Sequence, residues 1–270
     1  MNKAITIAGV AQEGISLISE KNLREALFAV YEKPACREST LLAQSVFSSM
    51  FAGKGTREQR GRFLNGWQAS HLSALFVAGL NIRMLREASA LKYQGQLEMF
   101  KACAELVEVI GEDTGVDDTP HFQLYNEFAN VVMENDFWKI QMFSVPSCER
   151  FRRFVQETRT QGPVEEAILT TMASENWNTG EYTYASAGVV EWMRSKLQLP
   201  GDLAERSSAY VTVHAGETEL GHFLHAIQSW YHYCEAYGKK PDEDLAAHIL
   251  ENYIIRAGEA FAGLKEAISA

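Results

Sequence analysis

The sequence predicts an all-α bundle of roughly seven to nine helices, and three observations predict it. Apolar residues recur at spacings of three and four along most of the chain, as one buried face per helix requires. Strict alternation, which a half-buried strand needs, is almost absent. Only six prolines interrupt 270 residues, too few to cut such patterns into short strands and turns. With 46% hydrophobic and 22% charged residues the chain is ordinary for a globular protein, which excludes disordered and collagen-like classes. Its length is near the upper end of what one core serves, so a single domain over 1–270 is expected.

Each element has its own signal. Leu17, Leu23, Leu27 and Tyr31 give a first helix an apolar face, and Lys33-Pro34 ends it. A second helix is expected over 38–52, closed by Gly53 and Gly55. Thr56-Arg57-Glu58-Gln59 is a capping-box pattern, in which the Thr and Gln side chains each satisfy a free backbone N–H. It opens a long helix with Phe63, Leu64, Trp67, His71, Leu75 and Phe76 toward the interior. Residues 84–110 continue helical with a break expected near Gly95, and the stretch from Gly111 through the acidic loop to Thr119 stops them. Pro120 suits the first turn of a helix carrying His121, Leu124, Tyr125, Phe128 and Val131. Ser147 is a candidate cap for 148–158, and Pro163 opens the segment with Ile168, Met172 and Glu175. Asp202 precedes one helix of about thirty residues ending at Tyr237-Gly238. Pro241 opens the last, over 241–268, whose pattern reads as an exposed interface element.

Charge and cysteine usage narrow the function. A net charge of −10 argues against a nucleic-acid binder, which needs a basic face. Cys36, Cys103, Cys148 and Cys234 are dispersed without a C-x-x-C pair and read as free thiols. No signal-peptide pattern and no apolar run of about eighteen residues is visible, so a cytoplasmic protein without a membrane partner is expected.

Metal-capable side chains collect in three places. His214, Glu217, Glu219, His222 and His225 fall within twelve residues, and imidazole with carboxylate suits iron, manganese or zinc. Glu219 and His222, three apart, share a helix face, the E-x-x-H spacing of carboxylate-bridged di-iron bundles. Glu112 and Asp113 end one helix while His121 starts the next. Glu175 sits among Met172, Ala173 and Trp177, where an unpaired carboxylate is costly. The plain reading of each group is a solvated turn or a half-buried polar residue.

The order of these pieces resembles the haem-oxygenase-like helical superfamily, which includes the TenA thiaminases, the pyrroloquinoline-quinone synthase and a group of non-haem di-iron oxidases and oxygenases. The likeness covers about residues 38–237 and leaves an N-terminal and a C-terminal helix as flanks. Thr56 to Leu80, with Arg62-Phe63-Leu64-Asn65-Gly66-Trp67, looks most like the second core helix of the fatty-acid oxidases that form 1-alkenes. Glu112-Asp113-Thr114-Gly115 followed by His121, Glu175 to Tyr182, and Tyr210 to Ala226 resemble the family's ligand-bearing stretches.

The resemblance implies an O2-dependent oxidase or oxygenase with one or two non-haem irons, acting on a small amine, amino acid or carboxylic acid. It implies Glu112, His121, Glu175, His214, Glu219 and His222 as iron ligands, and Glu175 and Tyr182 as catalytic groups. Phe63, Trp67, Phe128, Trp177 and Tyr210 are candidates to line the substrate pocket, although such spacing equally describes plain core. A small-molecule substrate and a homodimer complete the expectation. The alternatives are a metal-free TenA-like hydrolase or cofactor-metabolism enzyme, and a non-catalytic ligand-binding protein.

Two departures bear on these expectations. The family's last ligand helix usually reads H-x-x-x-[D/E]-x-x-H, whereas His214, Glu219 and His222 carry one extra residue. On a regular helix His222 would lie about 80° round from His214, and His225 only about 20°. A π-bulge near Gly216 to Gly221 would absorb the extra residue. The TenA enzymes carry a nucleophilic Cys just after the third ligand position, where this chain has Thr179-Gly180.

Overall fold

A computed structural model describes residues 5–71, 74–116 and 119–269, and among them every regular element is helical. The chain runs α1 (Ile7–Ile15), α2 (Lys21–Glu32), α3 (Pro34–Ala52), α4 (Arg57–His71), α5 (Ala74–Ala88), α6 (Tyr93–Thr114) and α7 (His121–Met133). It continues through two 3-10 turns, Phe137–Lys139 and Gln141–Phe143, into α8 (Pro146–Gln161) and α9 (Val164–Ser195). Then follow α10 (Gly201–Ser207), α11 (Ala209–Val213), α12 (Glu217–Ala236) and α13 (Glu243–Ser269). These thirteen helical segments exceed the seven to nine expected, because several continuous apolar patterns are cut by short turns. Asp117 and Asp118 of the acidic loop lie outside the described residues.

The centre of the bundle is α9. From Ala167 to Tyr182 every residue is buried, and α1, α3, α8, α12 and α13 pack around it. A helix buried on all sides has no solvated face for its polar residues, so Glu175, Asn176 and Glu181 must find partners inside the protein.

Local signals account for most boundaries. The capping box forms as expected: Thr56 N–H donates to Gln59 Oε1 at 2.7 Å and Gln59 N–H to Thr56 Oγ1 at 3.1 Å. Gly115, at φ 71°, closes α6 with its N–H on the Glu112 carbonyl. Pro34 both stops α2 and sits in the first turn of α3.

Other expectations are corrected. The first apolar pattern is split at residues 16–20, which leaves Leu17 exposed. The break in the 84–110 stretch falls at residues 89–92, and α6 runs through Gly95. That glycine lets α12 come close, since a Cβ there would lie 2.6 Å from the Ala236 carbonyl oxygen. Leu75 is 80% exposed rather than interior. The last helix is no exposed flank: Leu250, Tyr253, Ala257 and Phe261 of α13 are buried against α2, α3, α4, α8 and α9. No described helix is long and apolar enough to cross a membrane.

Candidate metal centre and active site

The site is made possible by an interruption in what the sequence presents as one thirty-residue helix. The chain breaks at Ser208 and again between Val213 and Glu217. Gly216 makes the second break at φ 89° and ψ −119°, a conformation that L side chains rarely adopt. The extra residue is therefore absorbed by a full turn instead of a π-bulge. His214 ends α11, while Glu219 and His222 lie in the first turns of α12, and all three are buried. Glu217 is turned to solvent.

Two groups of donors result. In the first, Asp113, His121 and His214 bring ligand atoms within 4.8 Å of one another. His121 Nδ1–H donates to Asp113 Oδ1 at 2.9 Å, and the His121 and His214 rings lie 4.1 Å apart, centre to centre. His214 Nδ1–H donates to the Tyr210 carbonyl, which leaves Nε2 as the lone-pair nitrogen, 3.7 Å from Glu219 Oε1. In the second group, Glu175, Glu219 and His222 also meet within 4.8 Å. His222 Nδ1 lies 3.8 Å from Glu175 Oε2 and 4.0 Å from Glu219 Oε2. Glu112, on the exposed side of α6, reaches back to within 2.9 Å of His222 Nε2, although the angle makes no hydrogen bond. All six residues named from the sequence thus converge, with Asp113 as a seventh. His225 turns away to Glu105, at 2.7 Å.

Burial divides the charges. Glu175 is pushed up by desolvation, but His222 and Arg159 outweigh this and hold its carboxyl at about 2. Glu175 is thus paired, which removes the cost that an unpaired carboxylate would carry among Met172, Ala173 and Trp177. Glu219, desolvated and facing the Glu175 charge, is pushed well above the usual carboxylate range, so the pair holds one proton. Burial opposes protonation of His222, yet Glu175, Asp113 and Glu112 raise it to about 9. His214 is driven well below the ordinary histidine value by burial and by His121. Behind Glu175, the Arg159 side chain is fully buried. Its Nη2 donates to Ser174 Oγ at 2.6 Å, and Ser174 donates to Glu175 Oε1 at 2.8 Å.

Asp113, His121, His214, Glu175 and Glu219 line a cavity of about 530 Å3, within the range of small-molecule sites, whereas His222 and Glu112 stand behind its wall. Glu175, His121 and His214 share it, with Glu219, Tyr182 and Tyr210. The two tyrosine hydroxyls are hydrogen-bonded at 2.6 Å. Leu75 and Phe122, both strongly exposed, mark its open rim. Phe63, Trp67, Phe128 and Trp177 do not line it; they form an aromatic core behind the wall, as Phe63–Trp67 at 5.3 Å and Trp67–Phe128 at 6.0 Å illustrate.

Sequence reasoning passed over His71, Gln68, Arg152 and Asn178 in the wall. It also missed Glu181, fully buried, which accepts from Trp67 Nε1 at 2.6 Å and from Trp177 Nε1, and lies 3.2 Å from His71 Nε2. Only His71 carried a signal, as a histidine on the apolar face of a helix. No cysteine lines the cavity, and burial pushes the Cys148 thiol up to about 12. Glu98, His232 and Glu235 form a further donor group, but Lys101 lies 2.9 Å from Glu98 and supplies the positive charge there.

The fold is a TenA-like helical architecture. Among solved structures the chain is similar to a TenA homologue from Pseudomonas syringae pv. tomato, with a TM-score of 0.63 over 92% of this chain and 93% of that one. The two are 13% identical, so the likeness is one of fold. No family model matches the chain, and no curated protein matches it.

Proposed function

We propose that this chain is an O2-dependent oxidase or oxygenase using one or two non-haem irons on a small amine, amino acid or carboxylic acid. The reading rests on two adjoining carboxylate–histidine groups, drawn from α6, α7, α9 and the α11–α12 junction, of which Asp113, His121, His214, Glu175 and Glu219 line one cavity. The donor set fits iron. Imidazole and carboxylate are its usual partners in helical bundles, and Glu219 Oε2 and His222 Nε2 are buried without an aligned hydrogen bond. Asp113, His121 and His214 would hold one ion, and Glu112, Glu175, Glu219 and His222 the other. Four carboxylates would then offset two divalent charges. When bound, iron supplies electrons and open coordination positions to O2.

The chain's own residues do the rest. The Tyr210 carbonyl fixes the His214 ring, and Arg159 with Ser174 fixes the Glu175 carboxylate. The Tyr182–Tyr210 hydroxyl pair can hold a proton at the cavity wall. Leu75 and Phe122 give the open rim an apolar surface for an entering substrate.

A metal-free acid–base enzyme is the second reading, and the observation favouring it is the ionised Glu175 beside a protonated Glu219. Cysteine-based TenA chemistry has no nucleophile here. Anaerobic purification, loading with Fe(II), desalting and metal analysis separate the two readings. The expected result is one or two retained irons per chain, reduced in His121→Ala or His222→Ala while helical circular dichroism is kept. Wild-type protein that retains no iron would overturn the iron reading in favour of the acid–base one.

A further inference from the structure

The seam between α6 and α12 carries a file of carboxylate–imidazole pairs, of which the metal centre uses only the last. Along α6, Glu98, Glu105 and Glu112 stand seven residues apart. They therefore share one edge of the helix and span about 21 Å at ~1.5 Å per residue. Each meets a histidine of the antiparallel α12. Glu98 Oε2 lies 3.0 Å from His232 Nδ1, Glu105 Oε2 lies 2.7 Å from His225 Nδ1, and Glu112 Oε2 lies 2.9 Å from His222 Nε2. Ser229 Oγ, donating to the Ala102 carbonyl at 2.8 Å, holds the register. The outer pairs are open to solvent, since the His225 side chain is 40% exposed and Glu235, 3.7 Å from His232, is 63% exposed. The innermost pair joins the exposed Glu112 to the buried His222, whose Nε2 has no hydrogen bond.

We infer that this seam is the route by which divalent metal ions reach the inner position at His222, apart from the mouth through which substrate enters. The inference rests on the iron reading above and adds a path to it. Glu112 and His222 stand behind the cavity wall, so an ion held on Glu112 needs only a turn of that side chain to meet His222, Glu175 and Glu219. An ion entering by the cavity would first have to pass Asp113, His121 and His214, the donors of the other position. Charge favours the seam as well. From Glu98 to Asp113, α6 carries five acidic residues and one basic residue, Lys101, and a strip of one sign gathers and steers cations. Carboxylate with imidazole binds first-row divalent ions, but only two donors at each ~10 Å step hold an ion too loosely to trap it. At the outer end, where Glu235 adds a third donor, Lys101 lies 2.9 Å from Glu98 Oε1 and offsets one carboxylate. That keeps the outer group from becoming a sink.

Anaerobic stopped-flow uptake of Co(II) by the metal-stripped full chain, followed by the visible absorption that protein ligands give the ion, tests the route. The wild-type rate should fall steeply between ~0.01 M and ~0.15 M salt, as the screening length shrinks from ~30 Å to ~8 Å. The double substitution Glu105→Gln, His225→Gln should slow uptake about tenfold and flatten that salt dependence. The number of ions bound at equilibrium, their affinity and the helical circular dichroism should stay as in wild type. Repeating the comparison in His121→Ala, which removes a donor of the other position, isolates the inner ion. A double variant that loads as fast as wild type, or a loss of affinity equal to the loss of rate, would overturn the route and leave the iron reading standing. Wild type that binds no Co(II) even at equilibrium would overturn the metal reading itself, and the route with it.

Discussion

Glu175→Gln and Glu219→Gln, made separately in metal-stripped protein, should move stability in unequal and even opposite directions. Glu175 is 3% exposed, 4.0 Å from the guanidinium of Arg159 and 3.8 Å from His222. Its carboxyl is held at about 2 against an unfolded value of ~4.3, a difference on the order of 3 kcal/mol at ~1.4 kcal/mol per unit. The pKa is depressed, so this contribution is fully present above ~4.3 and is lost as pH falls through about 2. At pH 7 the Gln variant forfeits it and leaves Arg159, two of whose nitrogens already lack partners, as an uncompensated buried charge. Breaking such a pair costs ~3–5 kcal/mol, which at ~2–4 °C per kcal/mol predicts a melting point lower by about 6–20 °C. Glu219 shifts the other way. Its raised pKa means that folding at pH 7 takes up a proton, a cost that grows as pH rises through the gap between unfolded and folded values. Gln needs no proton, so Glu219→Gln should leave the melting point unchanged or raise it. The assay is calorimetry at pH 7 after chelation, with metal analysis confirming removal. Equal losses in both variants, or a larger loss for Glu219→Gln, would refute the division of charge between the two carboxyls.

Three further outcomes are expected. Thr56→Ala removes half of the capping box and should lower stability by about 1 kcal/mol, read from the urea midpoint. Gly216→Ala meets no steric neighbour but must adopt φ near 89°, at a cost of roughly 1–3 kcal/mol. Because His214 and Glu219 flank that turn, Fe(II) affinity in equilibrium dialysis should also fall by ~10–100-fold. Burial opposes protonation of His71, but Glu181 raises its pKa above the ordinary value. Its stabilising charge is therefore full below ~6.5 and is lost as pH rises through the raised value. The stability advantage of wild type over His71→Gln, from urea midpoints between pH 6 and pH 9, should shrink with rising pH; an advantage that grows would contradict the charged pair.

Some of this protein is local chemistry and could be read along the chain. The helical class, the Thr56–Gln59 box, the glycine-bearing stop after α6 and the proline starts at Pro120 and Pro163 depend on neighbours within a turn, where sequence and structure share one scale, although Pro34, read as a stop, also starts α3. The six metal-capable residues were legible because their types and order are written in the chain. Their convergence was decided elsewhere. His214, Glu219 and His222 point the same way only because the helix breaks at Gly216, and a glycine in sequence does not say whether the chain bends there. Helix burial was equally opaque: the pattern of α13 looks like that of a surface helix until five neighbours cover it, while Leu75, Ile82 and Phe100 of α5 and α6 remain bare. The charges of Glu175 and Glu219 belong to this second category. A carboxyl's state follows from its desolvation and from the charges within a few ångströms. Arg159 stands sixteen residues from Glu175 in sequence, and only the packing of α8 on α9 brings its guanidinium to 4.0 Å.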